Sequence, residues 1–385
     1  MAGRRMNGEG SVYQRSSDNL WIGAVHLGYD EQGKAIRKTV SGRTKSIVLG
    51  KLRKEQRQVE DGLPPSDDRV TLNQLLDRWF DHVLRHQVEQ SALDNYKSVA
   101  EHHIRPTLGR VRLAKLSAED VDALISAKID EGYATSTVRR IRSVLSQALD
   151  QGVRWGLVTR NVVAMTRGPK AQRREGRSLT PEQARDLLKA AKGTPGKKGN
   201  RLEALYVTIL ALGLRSGEAL GLAWNDVDLT KRVLWVRHAL KREGNKLVIG
   251  EVKTPKSRRS IDLPVSMVKV LRAHKAQQAK ERLAAGESWQ NQGLVFTTEV
   301  GTPIDPSNLR RDFDKLCAKA GLGHWHPHEL RHSAATLMLA QGVAIEVVAE
   351  VLGHSSIRMT ADVYTHVQAP QRKLAATAME SALWS

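Results

Sequence analysis

One cysteine, Cys317, stands in a chain of 385 residues. That excludes an internal disulfide framework and leaves too few thiolates for a cysteine-based zinc site. Long apolar runs are equally scarce. The longest charge-free apolar stretch, Ala204 to Leu214, has 11 residues, whereas about 20 are needed to span a bilayer as a helix. The first ten residues, MAGRRMNGEG, are basic and lack the apolar segment of a secretory signal. Acidic residues are outnumbered: 41 Asp and Glu against 61 Lys and Arg leave a net charge of +20 and a pI near 10.1. Folding does not require such a surplus; it points to a polyanionic partner, most often nucleic acid. These absences together describe a soluble, intracellular chain that takes no part in membranes.

What is present suffices for folding. Hydrophobic residues make up 40% of the chain, which rules out wholesale disorder. At about 100–200 residues per domain, the length predicts two or three domains. The charge is uneven. Residues 1–60 carry 12 basic and 6 acidic side chains, residues 61–170 carry 16 and 14, and residues 171–385 carry 33 and 21. The excess sits at both ends. Solubilising helix faces explain scattered charges but not a pI near 10.

Residues 10–42 read as a three-stranded meander, with strands at Gly10–Gln14, Leu20–Leu27 and Ala35–Val40. Thr44 caps a helix from Lys45 to about Glu60. Leu63-Pro64-Pro65-Ser66-Asp67-Asp68 is a linker by composition. From Thr71 the apolar spacing turns helical through Leu72, Leu75, Leu76, Trp79 and Val83. A second helix runs from near Ser91 and stops before Pro106, Ser117 caps a third over Ala118 to Asp130, and Thr135 or Ser136 caps a fourth. Its apolar face holds Val138, Ile141, Leu145 and Leu149. Arg167–Gly176 is a second linker. Beyond it the pattern is mixed. Thr180-Pro181-Glu182 opens a helix, Ala204–Leu214 is apolar enough to be buried, and Val233–Val236, Leu247–Val252 and Arg259–Leu263 form one small antiparallel sheet. Helices follow at about 265–285, 306–320, 327–341, 345–352 and 356–367. The fold class is multidomain and mainly α: a small β-plus-helix module over 1–62, a helical domain over 69–168, and a mixed α+β domain over 174–385.

Four segments carry chemistry. In Leu212-Gly213-Leu214-Arg215-Ser216-Gly217-Glu218, an arginine follows an apolar helix and a glycine. Held rigidly there, its guanidinium grips a phosphate in bidentate fashion; the ordinary alternative is a surface Arg215–Glu218 pair. His326-Pro327-His328-Glu329-Leu330-Arg331-His332 has two readings. His328-Glu329-x-x-His332 matches the zincin motif, with Glu346 or Glu350 as third ligand. His328-x-x-Arg331 instead places an imidazole and a guanidinium one turn apart near a helix N-terminus, which favours anions. Leu352-Gly353-His354-Ser355-Ser356 puts a histidine in a helix junction. Asp362-Val363-Tyr364-Thr365-His366 places a tyrosine late in a short helix.

Their order and spacing, with Lys253 in Glu251-Val252-Lys253-Thr254-Pro255-Lys256-Ser257-Arg258-Arg259, resemble the tyrosine recombinase (phage integrase) family. That family's pattern is Leu-Arg-x-x-Glu, a hairpin lysine, His-x-x-Arg, Leu-Gly-His, and a tyrosine ten residues later, the separation between His354 and Tyr364. The resemblance covers 174 to about 370 directly. Residues 69–168 are similar to the family's core-site-binding domain, and residues 10–60 to its arm-type DNA-binding module. It implies that Tyr364 cleaves one DNA strand to give a 3′-phosphotyrosyl bond. Arg215, Arg331 and His354 then bind the non-bridging oxygens, His328 serves as acid/base, and Lys253, or failing it Lys256, protonates the leaving 5′-oxygen. Glu218 orients these groups. Arg139, Arg140, Arg142, Lys256 and Arg258 are candidate DNA contacts. No metal and no cofactor is implied. The implied partners are double-stranded DNA at core and arm sites, a homotetramer on that DNA, and excision or DNA-bending factors, in the cytoplasm of a bacterial host at its nucleoid. A type IB topoisomerase shares much of this chemistry, but an arm module and a tail after Tyr364 favour recombination. The zinc peptidase reading leaves Arg215, Lys253 and Tyr364 without roles.

Overall fold

The structure, a computed structural model, describes residues 11–29, 35–60, 69–170, 176–193, 199–244, 246–252, 257–354, 356–357, 360–361 and 379. The chain divides into two compact units, Met1–Arg173 and Arg174–Ser385.

The first unit opens with β1 (Ser11–Gln14), β2 (Trp21–Tyr29) and β3 (Ala35–Gly42), an antiparallel meander in that order. Helix α1 (Lys45–Glu60) starts after Thr44, whose hydroxyl accepts the Ile47 N–H, and lays Val48 and Leu52 against Val25. The helices α2 (Leu72–Trp79), α3 (Arg85–Gln87), α4 (Gln90–Val99), α5 (Arg105–Leu108), α6 (Ala118–Asp130) and α7 (Thr135–Arg154) follow. Thr71 and Ser117 form capping boxes with Gln74 and Asp120, each satisfying otherwise orphaned helix-end donors. Val138, Ile141, Leu145 and Leu149 are all buried along α7.

Two local expectations are corrected. The helical path does not stop before Pro106. A π-turn over Ala100–Ile104 leads into α5, where Pro106 sits in the first turn after the change of helical pitch. Helix α7 begins at Thr135 with Ala134 before it and no side-chain cap.

The second unit contains α8 (Pro181–Lys192), α9 (Glu203–Leu212), α10 (Ser216–Leu220), β4 (Val227–Asp228), β5 (Val233–Val236), β6 (His238–Glu243), β7 (Lys246–Glu251), β8 (Arg259–Asp262), α11 (Val265–Ala285), α12 (Pro306–Lys319), α13 (Pro327–Ala340) and α14 (Ile345–Leu352). Thr180 caps α8, with Pro181 at its first position. Helix α9 is buried through Leu205, Tyr206, Ile209 and Leu212, in a core that includes Phe296 and Phe313. The single sheet expected from the sequence is two. Strand β5 pairs with β4 and β8, whereas β7 pairs with β6 in a separate hairpin. The sequence of β6, HALKRE, is too polar to signal a strand; the hairpin's turn has Gly244 at φ +57°, a conformation suited to glycine. The last helix expected, 356–367, lies largely outside the described residues. No described helix is long and apolar enough to cross a membrane.

Candidate active site

The site begins where α9 ends. Gly213 takes the left-handed conformation at φ +63°, and a Cβ there would lie 2.2 Å from Leu352 Cδ2. Only glycine allows both the turn and the approach of α14. The chain then presents Arg215 at the start of α10. Glu218, 3% exposed, reaches back from the third position of that helix. One carboxylate oxygen accepts the Arg215 backbone N–H (3.0 Å) and the other accepts Arg215 Nη1 (2.6 Å). The Arg215–Glu218 pair is therefore buried at its acidic end and is no surface pair. Arg215 Nη2 donates to Gly353 O (3.1 Å).

Arg331 lies in the second turn of α13 and is 3% exposed. Its Nη1 donates to Gly213 O (2.8 Å), and its Nη2 is buried with no acceptor among the described residues. Burial, then the neighbouring Arg215 guanidinium, push its pKa down to about 9. A bound anion relieves that cost.

Gly353 ends α14 in the left-handed conformation, and His354 follows with its Nδ1 hydrogen-bonded to the buried Thr360 hydroxyl (2.8 Å). Burial, then Arg331 and Arg215, hold the His354 pKa at about 4. His328, one turn before Arg331, is likewise pushed down to about 4 by burial, His332 and Arg331, although the residue stays open to solvent. Both rings are neutral at neutral pH.

The zincin residues are arranged for other work. The rings of His328 and His332 meet edge to face at 5.2 Å. Glu329 accepts the His326 backbone N–H (2.6 Å) and two bonds from Arg177 (3.1 Å each), so its carboxylate serves as helix cap and ion pair. Among the described residues no three His, Cys, Asp or Glu side chains gather in a metal-binding group.

Sequence reasoning missed Arg259. Its side chain, 5% exposed, donates to both Glu218 oxygens and to Val351 O. Strand alternation carries the signal: Arg259 shares parity with buried Ile261, while Arg258 points outward and pairs with Glu251. Lys253, Lys256 and Tyr364 lie outside the described residues.

In the first unit, Arg142 turns inward and donates to Val163 O (2.8 Å) and Thr166 O (2.9 Å), bracing α7 rather than facing outward. Arg140 lies over the Tyr96 ring, and Arg139 is exposed.

Comparison with known proteins decides the family. Residues 177–371 match the phage integrase family, and residues 71–129 match the phage integrase N-terminal SAM-like domain. The chain is 34% identical to an integrase of Streptomyces ambofaciens over 99% of this chain and 98% of that one. The chain belongs to the phage integrase family. It is a tyrosine-type site-specific recombinase. The recombinase is also 30% identical to a XerC-like tyrosine recombinase of Caldanaerobacter subterraneus subsp. tengcongensis, over 94% of this chain and 95% of the other. It shares its fold with a Tn1549 transposon integrase solved with transposon right end DNA (20% identity, TM-score 0.67, 82% and 100% covered). It shares the fold also with a lambda integrase dimer bound to a core site (22% identity, TM-score 0.59, 94% and 96% covered).

The neutral histidines of the recombinase set a pH dependence. An unfolded imidazole takes its proton near pH 6.5, whereas His328 and His354 resist protonation down to about pH 4. Between these values the unfolded chain binds more protons, so stability present above pH 6.5 is lost as the pH falls toward 4. We expect the melting temperature to fall over that window, and His354→Asn to flatten the fall. Parallel melting curves for wild type and variant would contradict the assignment.

Proposed function

We propose that Tyr364 attacks one phosphodiester of a DNA attachment site. Its oxygen forms a bond to phosphorus, the bond to the 5′-oxygen breaks, and a 3′-phosphotyrosyl link results. The observation that carries this reading is the buried Nη2 edge of Arg331, which has no acceptor among the described residues and lies close to Arg215. A guanidinium so buried is costly unless an anion meets it, and a phosphoryl group matches its planar fork.

Charge accumulates on the non-bridging oxygens as the nucleophile approaches. Arg215 and Arg331 stand ready to receive it, fixed through the carbonyls of Gly353 and Gly213. His354 is neutral; in the tautomer whose Nδ1 accepts from the Thr360 hydroxyl, Nε2 carries the proton and donates to the same oxygens. Neutral His328 takes the Tyr364 proton. Lys253, with Lys256 as the alternative, delivers a proton to the departing 5′-oxygen. Glu218 reacts with nothing and keeps Arg215 in place. Two guanidiniums supply the charge that a divalent ion supplies in other phosphoryl-transfer sites. The phosphotyrosyl bond retains the energy of the broken linkage, so rejoining needs no nucleotide.

Residues 174–385 are then the catalytic domain and 69–168 the core-site-binding domain, with Arg139, Arg140, Lys256 and Arg258 as contacts to phosphate. Residues 1–62 bind arm sites. The recombinase works as a tetramer on DNA, a reading supported by the lambda integrase solved as a tetramer on a Holliday junction. Excision or DNA-bending factors join it there, and the reaction takes place in the bacterial cytoplasm.

A nicked substrate that loses its 5′-hydroxyl fragment after cleavage tests the proposal. In excess EDTA the wild-type protein should accumulate a covalent adduct that resists detergent and is destroyed by protease, and on intact substrates it should join two attachment-site DNAs. An adduct without joining would indicate a topoisomerase-like reaction. No adduct until zinc is restored would return His328 and His332 to the role of metal ligands.

A further inference from the structure

Three guanidiniums surround one buried carboxylate in this site, and only two of them are free to meet a phosphate. The third, Arg259, has all three nitrogens engaged. Nε donates to Val351 O (2.6 Å), Nη1 to Ser257 O (3.0 Å) and Glu218 Oε1 (3.4 Å), and Nη2 to Glu218 Oε2 (3.0 Å). With 5% of its side chain exposed, it lacks the surface to grip DNA. It nevertheless joins three chain segments, two of which lead into a phosphate ligand. Glu218 holds Arg215. Val351 lies in the last turn of α14, two residues before Gly353, whose carbonyl receives Arg215, and three before His354. Ser257 belongs to the strand entry that follows the Lys253 segment in sequence.

We propose that Arg259 is a positioning residue for strand cleavage: it shares the Glu218 carboxylate with Arg215 and anchors the end of α14, so that Arg215 and His354 are presented together to one phosphate. The inference rests on the reading of Arg215 and His354 as phosphate ligands given above. Its physical basis is charge sharing. A buried carboxylate flanked by two cations leaves each of them partly uncompensated, and Arg215 keeps an affinity for a further anion. With Arg259 gone, Glu218 faces Arg215 as its one bonded cation, with Arg331 close by, and draws the Arg215 fork onto itself.

That predicts a signature which lost packing alone does not produce. In Arg259→Gln, protonating Glu218 releases Arg215, so acidification should restore cleavage. The groups that set the Glu218 proton are Arg215, Arg259 and Arg331, and of these only Arg259 is changed. Arg259 does not act on the His328 imidazole but is one of the cations that hold the His354 pKa down, so the Glu218→Gln control is what separates the Glu218 proton from that of His354.

The experiment uses the full chain and the nicked substrate at saturating DNA, with single-turnover adduct formation followed from pH 8 to pH 5.5. Arg259→Gln should bind DNA within about threefold of wild type and form adduct about 30-fold more slowly at pH 7.5, in the range seen when an orienting neighbour of a ligand is removed. The deficit should shrink at least threefold by pH 5.5. Adding Glu218→Gln should abolish that pH dependence and slow the reaction no further. Arg259→Lys keeps the charge but not the fork and should lose about tenfold. It is the variant that decides the matter should Arg259→Gln fail to fold. Wild-type rates in Arg259→Lys, or a deficit in Arg259→Gln that binding loss accounts for and that does not change with pH, would overturn the proposal. Failure of the wild-type protein to form any adduct would instead overturn the recombinase chemistry itself.

Discussion

Tyr364→Phe should bind attachment-site DNA as tightly as wild type and form no covalent adduct, a loss below detection, because one hydroxyl is all that changes. The measurement pairs a binding titration with adduct formation on the nicked substrate. No other tyrosine of the second unit is suited to substitute among the described residues. Tyr206 is fully buried in α9, its hydroxyl donates to Asp312 (2.7 Å), and burial drives its pKa well above the ordinary tyrosine value. A surviving adduct in Tyr364→Phe would remove Tyr364 as nucleophile.

Arg331→Met should separate chemistry from stability. The Arg331 Nη2 is a buried donor with no partner among the described residues, which is costly to the free fold, and the depressed pKa of Arg331 reflects the same cost. Methionine fills comparable volume without charge, and the bond lost is the one to Gly213 O. We expect the melting temperature of the free protein to stay level or rise, while adduct formation drops by about 10³-fold. DNA binding should weaken only modestly, because the proposed phosphate contacts of Arg139, Arg140 and Arg258 are unchanged. A clear loss of melting temperature together with retained cleavage would mean that Arg331 is a core strut rather than a phosphate ligand.

Much of the architecture was legible because its signals are local. Thr71, Ser117 and Thr180 each cap within three residues, and an i to i+3 hydrogen bond is written in a four-residue string. The apolar period through Val138, Ile141, Leu145 and Leu149 likewise needs no distant partner. What failed to show was non-local. The strand His238–Glu243 is polar and exists because Lys246–Glu251 pairs with it. The helical path through Pro106 depends on a π-turn that no residue type announces. Arg142 looked like a third member of an exposed basic cluster, yet acceptors 21 and 24 residues away draw it inward.

The site divides in the same way. Arg215, Glu218, His328, Arg331 and His354 stand in short strings whose spacing is distinctive, and the structure brings Arg215, Glu218, Arg331 and His354 into one network. Arg259 stood beside Arg258 in a basic run, and nothing within that run tells the two apart. The alternation of β8 separates them once the strand's buried face is known. Lys253 and Tyr364 rest on the sequence pattern, since both lie outside the described residues.

The three guanidiniums are all moored to main-chain oxygens: Arg331 to Gly213, Arg215 to Gly353, Arg259 to Val351. A moored oxygen belongs to the peptide unit, so replacing the side chain at its position leaves it in place. Alanine scanning at Val351 would therefore report only its side-chain packing against the core, not the carbonyl that receives Arg259. At Gly213 it would report damage, but from the added methyl group meeting Leu352, not from any lost interaction. Half of each mooring is invisible to side-chain genetics. Amide-to-ester replacement in the backbone, which weakens the carbonyl as an acceptor, is the kind of chemistry that reaches it.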